Sequence, residues 1–458
     1  MKQTEHTLRQ LIWLYFWLLL FEGALRKWIL PGLSTPLLIV RDPVVVAIYM
    51  LAAANGKFPR NGFIGVMVAI AILGFIASFG GIGNLFVTLY GLRTDFLHLP
   101  LIFVVPQVFT LRDVRRMGFL LLVLSVPMAI LGAEQFRTGE FSYLNVGAGG
   151  QIAGQLITSG ARVRASGTFS FVNGLVAYLA MVSAFLAYHF LQRRTGEGAG
   201  YPRWLGFTAL GALMLSLSVS GSRSAVMSVT VVCLSVIVVA MLSPRKFGGV
   251  LRPVLVGYVV FLLLAWMFPV FSQGIDVQRE RFEQGGGIRE GIVHRFLSDF
   301  TGSFSAAWRA PFVGYGLGVG TNVGSQLISG DRGFLLAEAE WERVVLELGP
   351  LLGFAYIALR VALTVVIIRT GVKTSRIGNS LPMLLAGASA LNLLSGQFSQ
   401  PTLLGFAVLG AGLALAAARE PDRGNSVPMA PLQPAAARNL VRGRSQYAEA
   451  IRTGDMPQ

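Results

Sequence analysis

Apolar runs separated by short clusters of glycine, proline and charge recur along the chain as far as residue 418. A helix that crosses a bilayer needs roughly 20 consecutive apolar residues, and bounding each run by its breakers gives twelve windows. They lie at 10–30, 37–54, 62–80, 84–109, 117–133, 171–191, 204–221, 223–242, 253–271, 343–369, 380–395 and 402–418. The pattern predicts an all-α integral membrane protein of about 12 transmembrane helices over residues 1–418, with a disordered cytoplasmic tail at 419–458. The fourth window is the least regular, because "GLRTDFLH" places Arg93, Asp95 and His98 inside it.

Orientation follows from the loops. With the N-terminus cytoplasmic, every inner loop is short and positive: Lys57 and Arg60; Arg112, Arg115 and Arg116; Arg193, Arg194 and Arg203; Arg245, Lys246 and Arg252; Arg369, Lys373 and Arg376. This is the pattern the positive-inside rule requires, and an even number of spans returns the C-terminus to the cytoplasm. The two long segments, 134–170 and 272–342, then face outward. The run "LIWLYFWLLLF" is followed by "EGALRKW" and not by a small-residue cleavage site, so it reads as an uncleaved first span.

Composition agrees: 54% of the 458 residues are hydrophobic and 13% charged. Membrane topology accounts for most of the net charge of +16, and no nucleic-acid partner is expected. The lone cysteine, Cys233, has no partner for a disulfide and is expected to pack inside its apolar segment.

Arginine is distributed in a way that topology does not explain. The chain holds 33 arginines and 5 lysines, and four of the lysines fall on the inner side. The outward ends and segments carry Arg26, Arg41, Arg93, Arg137, Arg162, Arg164, Arg223 and Arg343 among others, against Lys27 alone. A guanidinium is permanently charged and offers a planar fork that fits phosphate or carboxylate oxygens in pairs. Between 272 and 342 the arginines are matched by acids, but Arg164 and Arg223 have no acid near them in sequence. Arg223 lies in "SVSGSRSAVMSV" (218–229), which reads as a tight outer turn, with Arg223 opening the next span. A helix start favours an anion there; the alternative is an arginine reaching lipid headgroups.

Three blocks in order, "RASGTFSFVNGLVAYLAM" (164–181), "SVSGSRSAVMSV" and "RAPFVGYGLGVGT" (309–321), precede "ELGPLLGF" (347–354). Together they resemble the O-antigen ligase and O-antigen (Wzy-type) polymerase family of bacterial envelope enzymes, and "EGALRKWILPGLSTPLLIVRDP" resembles an exopolysaccharide branch of it. The resemblance implies a multi-pass protein of the bacterial inner membrane whose long outer segments are periplasmic. It also implies a glycosyltransferase that moves an undecaprenyl-diphosphate-linked glycan onto an acceptor glycan or lipid without metal, cofactor or nucleotide sugar. Polysaccharide assembly proteins are implied as partners. On this resemblance Arg164 and Arg223 match diphosphate-binding arginines, with Arg162 and Arg343 added as neighbours. The ligases carry a histidine where this chain reads "LLAEAEWERVVLELG", so polymerase is slightly favoured over ligase.

Such a transfer needs charge to stabilise the departing diphosphate and a base for the acceptor hydroxyl. Glu340 is the first candidate base, Glu338 the second and His294 the third. Glu340, Arg343 and Glu347 share one face if a helix begins this early, which would serve equally as an ion-pair stripe. Arg93, Asp95 and His98 form a candidate intramembrane polar network. The "GYGLGVG" run lacks the lysine and the strand-helix frame of a nucleotide cradle and reads as a flexible loop open to a glycan, or as plain turn structure. No metal-ligand spacing is present. A transporter or flippase of an anionic lipid is the alternative, less expected because no internal repeat is evident. A scaffold in a secretion complex is a third reading.

Overall fold

The computed structural model describes residues 2–158, 162–192, 201–243, 257, 259, 261–263, 265–284, 295–330 and 335–419. Helices dominate, and the pairing seen between strands is reduced to one isolated antiparallel bridge, Ile157 to Val163, among the described residues. The helices are α1 (Lys2–Ala24), α2 (Arg41–Ala54), α3 (Gly62–Ser78), α4 (Leu85–Leu92), α5 (Leu101–Val108), α6 (Leu111–Arg137), α7 (Val172–Gln192) and α8 (Arg203–Val219). They continue with α9 (Arg223–Leu242), α10 (Pro269–Glu283), α11 (Arg295–Arg309), α12 (Asn322–Ser329), α13 (Glu340–Arg376), α14 (Leu381–Ser395) and α15 (Pro401–Arg419).

The chain is a helical, multi-pass membrane protein. Seven helices among the described residues are long and apolar enough to cross a bilayer, and up to nine if each of two bent pairs counts as one span. Three further apolar helices, α3, α8 and α14, fall short of that length. Among the described residues, length and apolarity therefore account for up to nine of the 12 expected spans.

Helix ends follow local chemistry. Thr110 and Asp113 form a reciprocal capping box that starts α6, and the side chains of Asn61 and Asn84 cap α3 and α4. The helices at the centre of the bundle, α7 and α15, are buried over 89% and 78% of their apolar windows, whereas the window at Pro31–Ala54 is buried over only 22%. The peripheral α9 shows what this does to single residues. It buries Ala225, Ser228, Val232, Ser235 and Val239, a stripe at helical spacing. Cys233 falls beside that stripe and is exposed, contrary to the packing role expected of it.

Two interruptions shape the interior. Between α4 and α5 the chain makes a π-helical turn, Arg93–Leu97, and bends by 42°. Pro100 at the head of α5 suits this break, since it cannot continue an upstream helix. In α13, Gly349 takes φ 77° ahead of Pro350, which separates a short first limb from the long second one.

The long segments are built, not slack. Gln135 of α6, fully buried, accepts from Ser166 N (3.1 Å) and Gly167 N (2.8 Å) and donates to the carbonyls of Leu144 and Gly167. The second segment contains α11 and α12 and most of α10. The tail at 420–458 lies outside the described residues.

Candidate functional site

Two of the arginines expected to bind diphosphate, Arg164 and Arg223, meet at one glycine turn. Gly221 sits at φ 54°, a conformation that favours glycine, in the turn between α8 and α9. A Cβ there would lie 3.3 Å from Thr158 Cγ2, 3.4 Å from Arg164 Cγ and 3.6 Å from Val277 Cγ1. The "SGSRS" turn, the strip around Arg164 and α10 thus meet at van der Waals distance. Ala165 N donates to Val219 O (3.3 Å), and Gln278 of α10 donates to Ser222 O (3.2 Å). Arg223 is the first residue of α9 and is half-buried. Arg162 donates to Gln273 Oε1 (3.2 Å) and lies over the Phe136 ring. Arg164 and Arg223 therefore lie at one turn at the positive end of α9, and Arg162 reaches the α10 residue next to Gly274, which packs on Ser218.

The fourth, Arg343, does something else. It is buried, and its Nη2 donates to Asp95 Oδ1 (2.8 Å), its Nε to Glu340 Oε2 (3.0 Å) and its Nη1 to Glu347 Oε2 (2.8 Å). Three carboxylates fill its fork, so no face is left for a phosphate. Glu340 is equally committed. Its Oε1 accepts from Arg343 Nη2 (3.1 Å), Arg360 Nη1 (2.8 Å) and Phe398 N (3.2 Å), in addition to the Arg343 bond to Oε2. With both oxygens engaged and only 2% of the residue exposed, Glu340 is poorly placed to take a proton from an acceptor. The helix does begin at Glu340, as the shared face required, and the face is an ion-pair stripe.

The trio Arg93, Asp95 and His98 is not one network either. On the π turn, Asp95 points to Arg343, while Arg93 and His98 both turn to Asp42 of α2, at 2.7 and 3.0 Å. His98 Nδ1 shares a hydrogen bond with the Tyr15 hydroxyl (3.1 Å). Glu338 precedes α13 with an exposed side chain, and its carbonyl accepts from Gln397. His294 lies outside the described residues.

The glycine run is rigidly placed between helices. Glu347 accepts from Gly318 N (3.1 Å) and Gly320 N (2.8 Å), Tyr315 N donates to Leu346 O (2.8 Å), and Ile82 N donates to Tyr315 O (3.0 Å). A Cβ on Gly314 would stand 2.2 Å from Glu347 O, and one on Gly318 2.2 Å from Val87 O. These glycines admit other parts of the protein's own backbone, which excludes the open, flexible loop expected from the sequence.

Several buried charges were not singled out from the sequence as site residues. Arg360, in the middle of the apolar "YIALRVALTVV", carries the one available signal, since an arginine at membrane depth is costly and demands a partner. Its partner Glu340 lies 20 residues away across the Gly349 kink, a relation that periodicity does not convey. Lys27 is the other, held by Ser166 Oγ (3.1 Å), Gly167 O (3.1 Å) and Phe169 O (3.4 Å). It fastens the end of α1 to the "SGTF" strip two residues beyond Arg164. Among the described residues no group of three or more His, Cys, Asp or Glu is disposed to hold a metal. No family model matches the sequence, and no curated protein aligns significantly with it.

Proposed function

We propose that the protein is a metal-independent membrane glycosyltransferase that uses an undecaprenyl-diphosphate-linked oligosaccharide, polymerising it or ligating it to an acceptor at the periplasmic face of a bacterial inner membrane. The observation that carries this reading is the meeting of Arg164 and Arg223 at the Gly221 turn, with Arg162 bonded to Gln273 of the adjoining α10. Permanent cations held together at a helix start suit a diphosphate, whose charge grows as the sugar departs. In the reaction the acceptor oxygen bonds to the anomeric carbon, the bond from that carbon to the diphosphate oxygen breaks, and the hydroxyl proton passes to a base. Glu338, exposed where Glu340 is locked, is the described candidate for that base. The proposal includes twelve spans, with α3, α8, α14 and the bent pairs crossing along with the longer helices, and both termini in the cytoplasm. It also includes polysaccharide assembly proteins as partners, with the polymerase slightly preferred to the ligase because "LLAEAEWERVVLELG" (335–349) holds no histidine.

The test replaces Arg164 and Arg223 singly by Ala in cells, with membrane levels checked and the lipid-linked glycan pool resolved by length. Loss of one such donor is expected to lower transfer by about 10²–10³-fold. Accumulated single units identify a polymerase, and accumulated long lipid-linked polymer a ligase. Wild-type polymer from both variants rejects the site.

A second reading, a transporter or flippase of an anionic lipid, is favoured by one feature: the bent helix with Asp95 buried at its break. It predicts that Asp95→Asn abolishes transbilayer movement of the lipid in vesicles while Arg223→Ala leaves glycan length unchanged.

A further inference from the structure

The end of α1 opposite the N-terminus and the start of α2 assemble a second cluster of charge, separate from the Gly221 turn. Arg26 Nη1 lies 3.5 Å from Glu22 Oε1, and Arg41 Nε donates to the other oxygen of the same carboxylate at 2.9 Å. Arg41 Nη1 donates to the Tyr15 hydroxyl (3.4 Å), which joins His98, and His98 joins Asp42, the partner of Arg93. Lys27 follows Arg26 and donates to uncharged oxygens. Three guanidinium groups and one ammonium thus face two carboxylates. Unbalanced positive charge at low dielectric is costly and favours a bound anion.

A second observation is a buried donor that is left unmet. Arg41 Nη2 is buried and makes no hydrogen bond, although the same guanidinium is bonded through its other two nitrogens. Arg26, whose Nε donates to Ser34 O (2.9 Å) and Nη1 to Ser170 Oγ (3.3 Å), keeps 12% of its side chain exposed, beside Arg93 at 11% and Asp42 at 15%.

A third says what carries the anion. Between the two helices the chain leaves α-helical geometry through a π turn (Leu25–Ile29), a 3-10 turn at Pro31–Leu33 and a single helical turn at Ser34–Leu37. Ile29, Leu30, Leu33 and Ile39 on this strap are exposed, at 64%, 42%, 51% and 45%. Trp28 Nε1 donates to Tyr143 O (3.0 Å) and the Tyr143 hydroxyl to Trp28 O (3.1 Å), a pairing of the two aromatics that mark membrane interfaces. A cationic edge beneath an apolar strap suits a headgroup with its chain attached.

We infer that Arg26 and Arg41, with Lys27 and Arg93 adding to the field, form a binding site for the phosphate of an anionic membrane lipid. The site goes beyond the glycosyl-transfer reading and does not depend on it. Native mass spectrometry of the purified full chain in detergent tests the inference, with phosphatidylglycerol, undecaprenyl phosphate, phosphatidylcholine and inorganic phosphate as separate probes. Retention of phosphatidylglycerol or undecaprenyl phosphate at least about tenfold above phosphatidylcholine is expected, about 1.4 kcal/mol. Whichever of the two anionic lipids is retained more strongly is the natural occupant, a resident phospholipid or the polyprenyl carrier. Arg26→Gln should remove the preference and Arg26→Lys keep part of it, while Arg279→Ala, which removes an exposed arginine of α10 paired with Glu283, should leave it intact. Equal retention of phosphatidylcholine, or an undiminished preference in Arg26→Gln, overturns the site, and inorganic phosphate retained as well as the lipids overturns its lipid nature. If Arg26→Gln fails to fold, the lipid preference of the wild type and of Arg26→Lys decides. Loss of the preference in Arg279→Ala as well would show that it reports surface charge in general and reject this second site.

Discussion

A guanidinium inside an apolar bundle persists only when its donors are met, and Arg343 meets them with three carboxylates while Arg360 shares one of these and takes backbone carbonyls of Leu393 and Gly396. Removing one member of such a group leaves charge buried without its counter-ion, which costs about 3–5 kcal/mol. Glu340→Gln is therefore expected to lower the apparent melting temperature of the purified protein by several degrees, read by thermal unfolding with size-exclusion detection. A variant that keeps wild-type stability but loses transfer would return Glu340 to the role of base and overturn its assignment to the stripe. The residue scale also separates arginines that look alike in sequence. Arg223 and Arg343 both open apolar helices, yet Arg343 lies between Glu340 and Glu347 of its own helix and takes Asp95 as well from 248 residues away.

At the scale of elements, glycines decide which segments touch. In the Gly221 turn an alanine must hold a left-handed conformation at a cost of about 1–2 kcal/mol, with neighbours no closer than 3.3 Å. Gly221→Ala is expected to fold with a small loss of stability and to reduce polymer by displacing Arg164 and Arg223; unchanged polymer yield would show that the turn's geometry does not matter to the activity. Gly318→Ala is a different case. Its Cβ would press to 2.2 Å on a backbone carbonyl of α4, and the loop it belongs to delivers two amides to Glu347. Loss of folded protein in detergent extracts is expected, whereas Gly139→Ala, where nothing lies near the added carbon, should be extracted like wild type.

At the scale of the whole molecule, the proposed topology is open to direct labelling. Cys233 is the sole cysteine and lies on α9 facing away from the bundle, so Cys233→Ser supplies a thiol-free background at little cost in packing. In that background Thr138→Cys is expected to react with an impermeant maleimide in intact spheroplasts, and Gly56→Cys only after the membrane is opened. The opposite pattern would invert the molecule and move the Arg164 and Arg223 turn to the cytoplasmic side, where the proposed reaction does not occur.

Local chemistry was enough for some of this. Runs of apolar residues dictate helices because lipid leaves no other way to satisfy the backbone, and breakers mark where those helices stop. The turn at Gly221 and the cost of charge at Arg93, Asp95 and His98 were legible in residue type and spacing, whereas α13 begins at Glu340, three residues ahead of the window read at 343–369. The division of that trio between Asp42 and Arg343, the saturation of Glu340 and the closed packing of the glycine run were not. Each depends on a partner brought from another helix, by the bend between α4 and α5 or the kink at Gly349. A single sequence records which side chains need partners. Only the packed bundle decides which partners they find, because electrostatic pairing acts over a few ångströms of space without regard to distance along the chain.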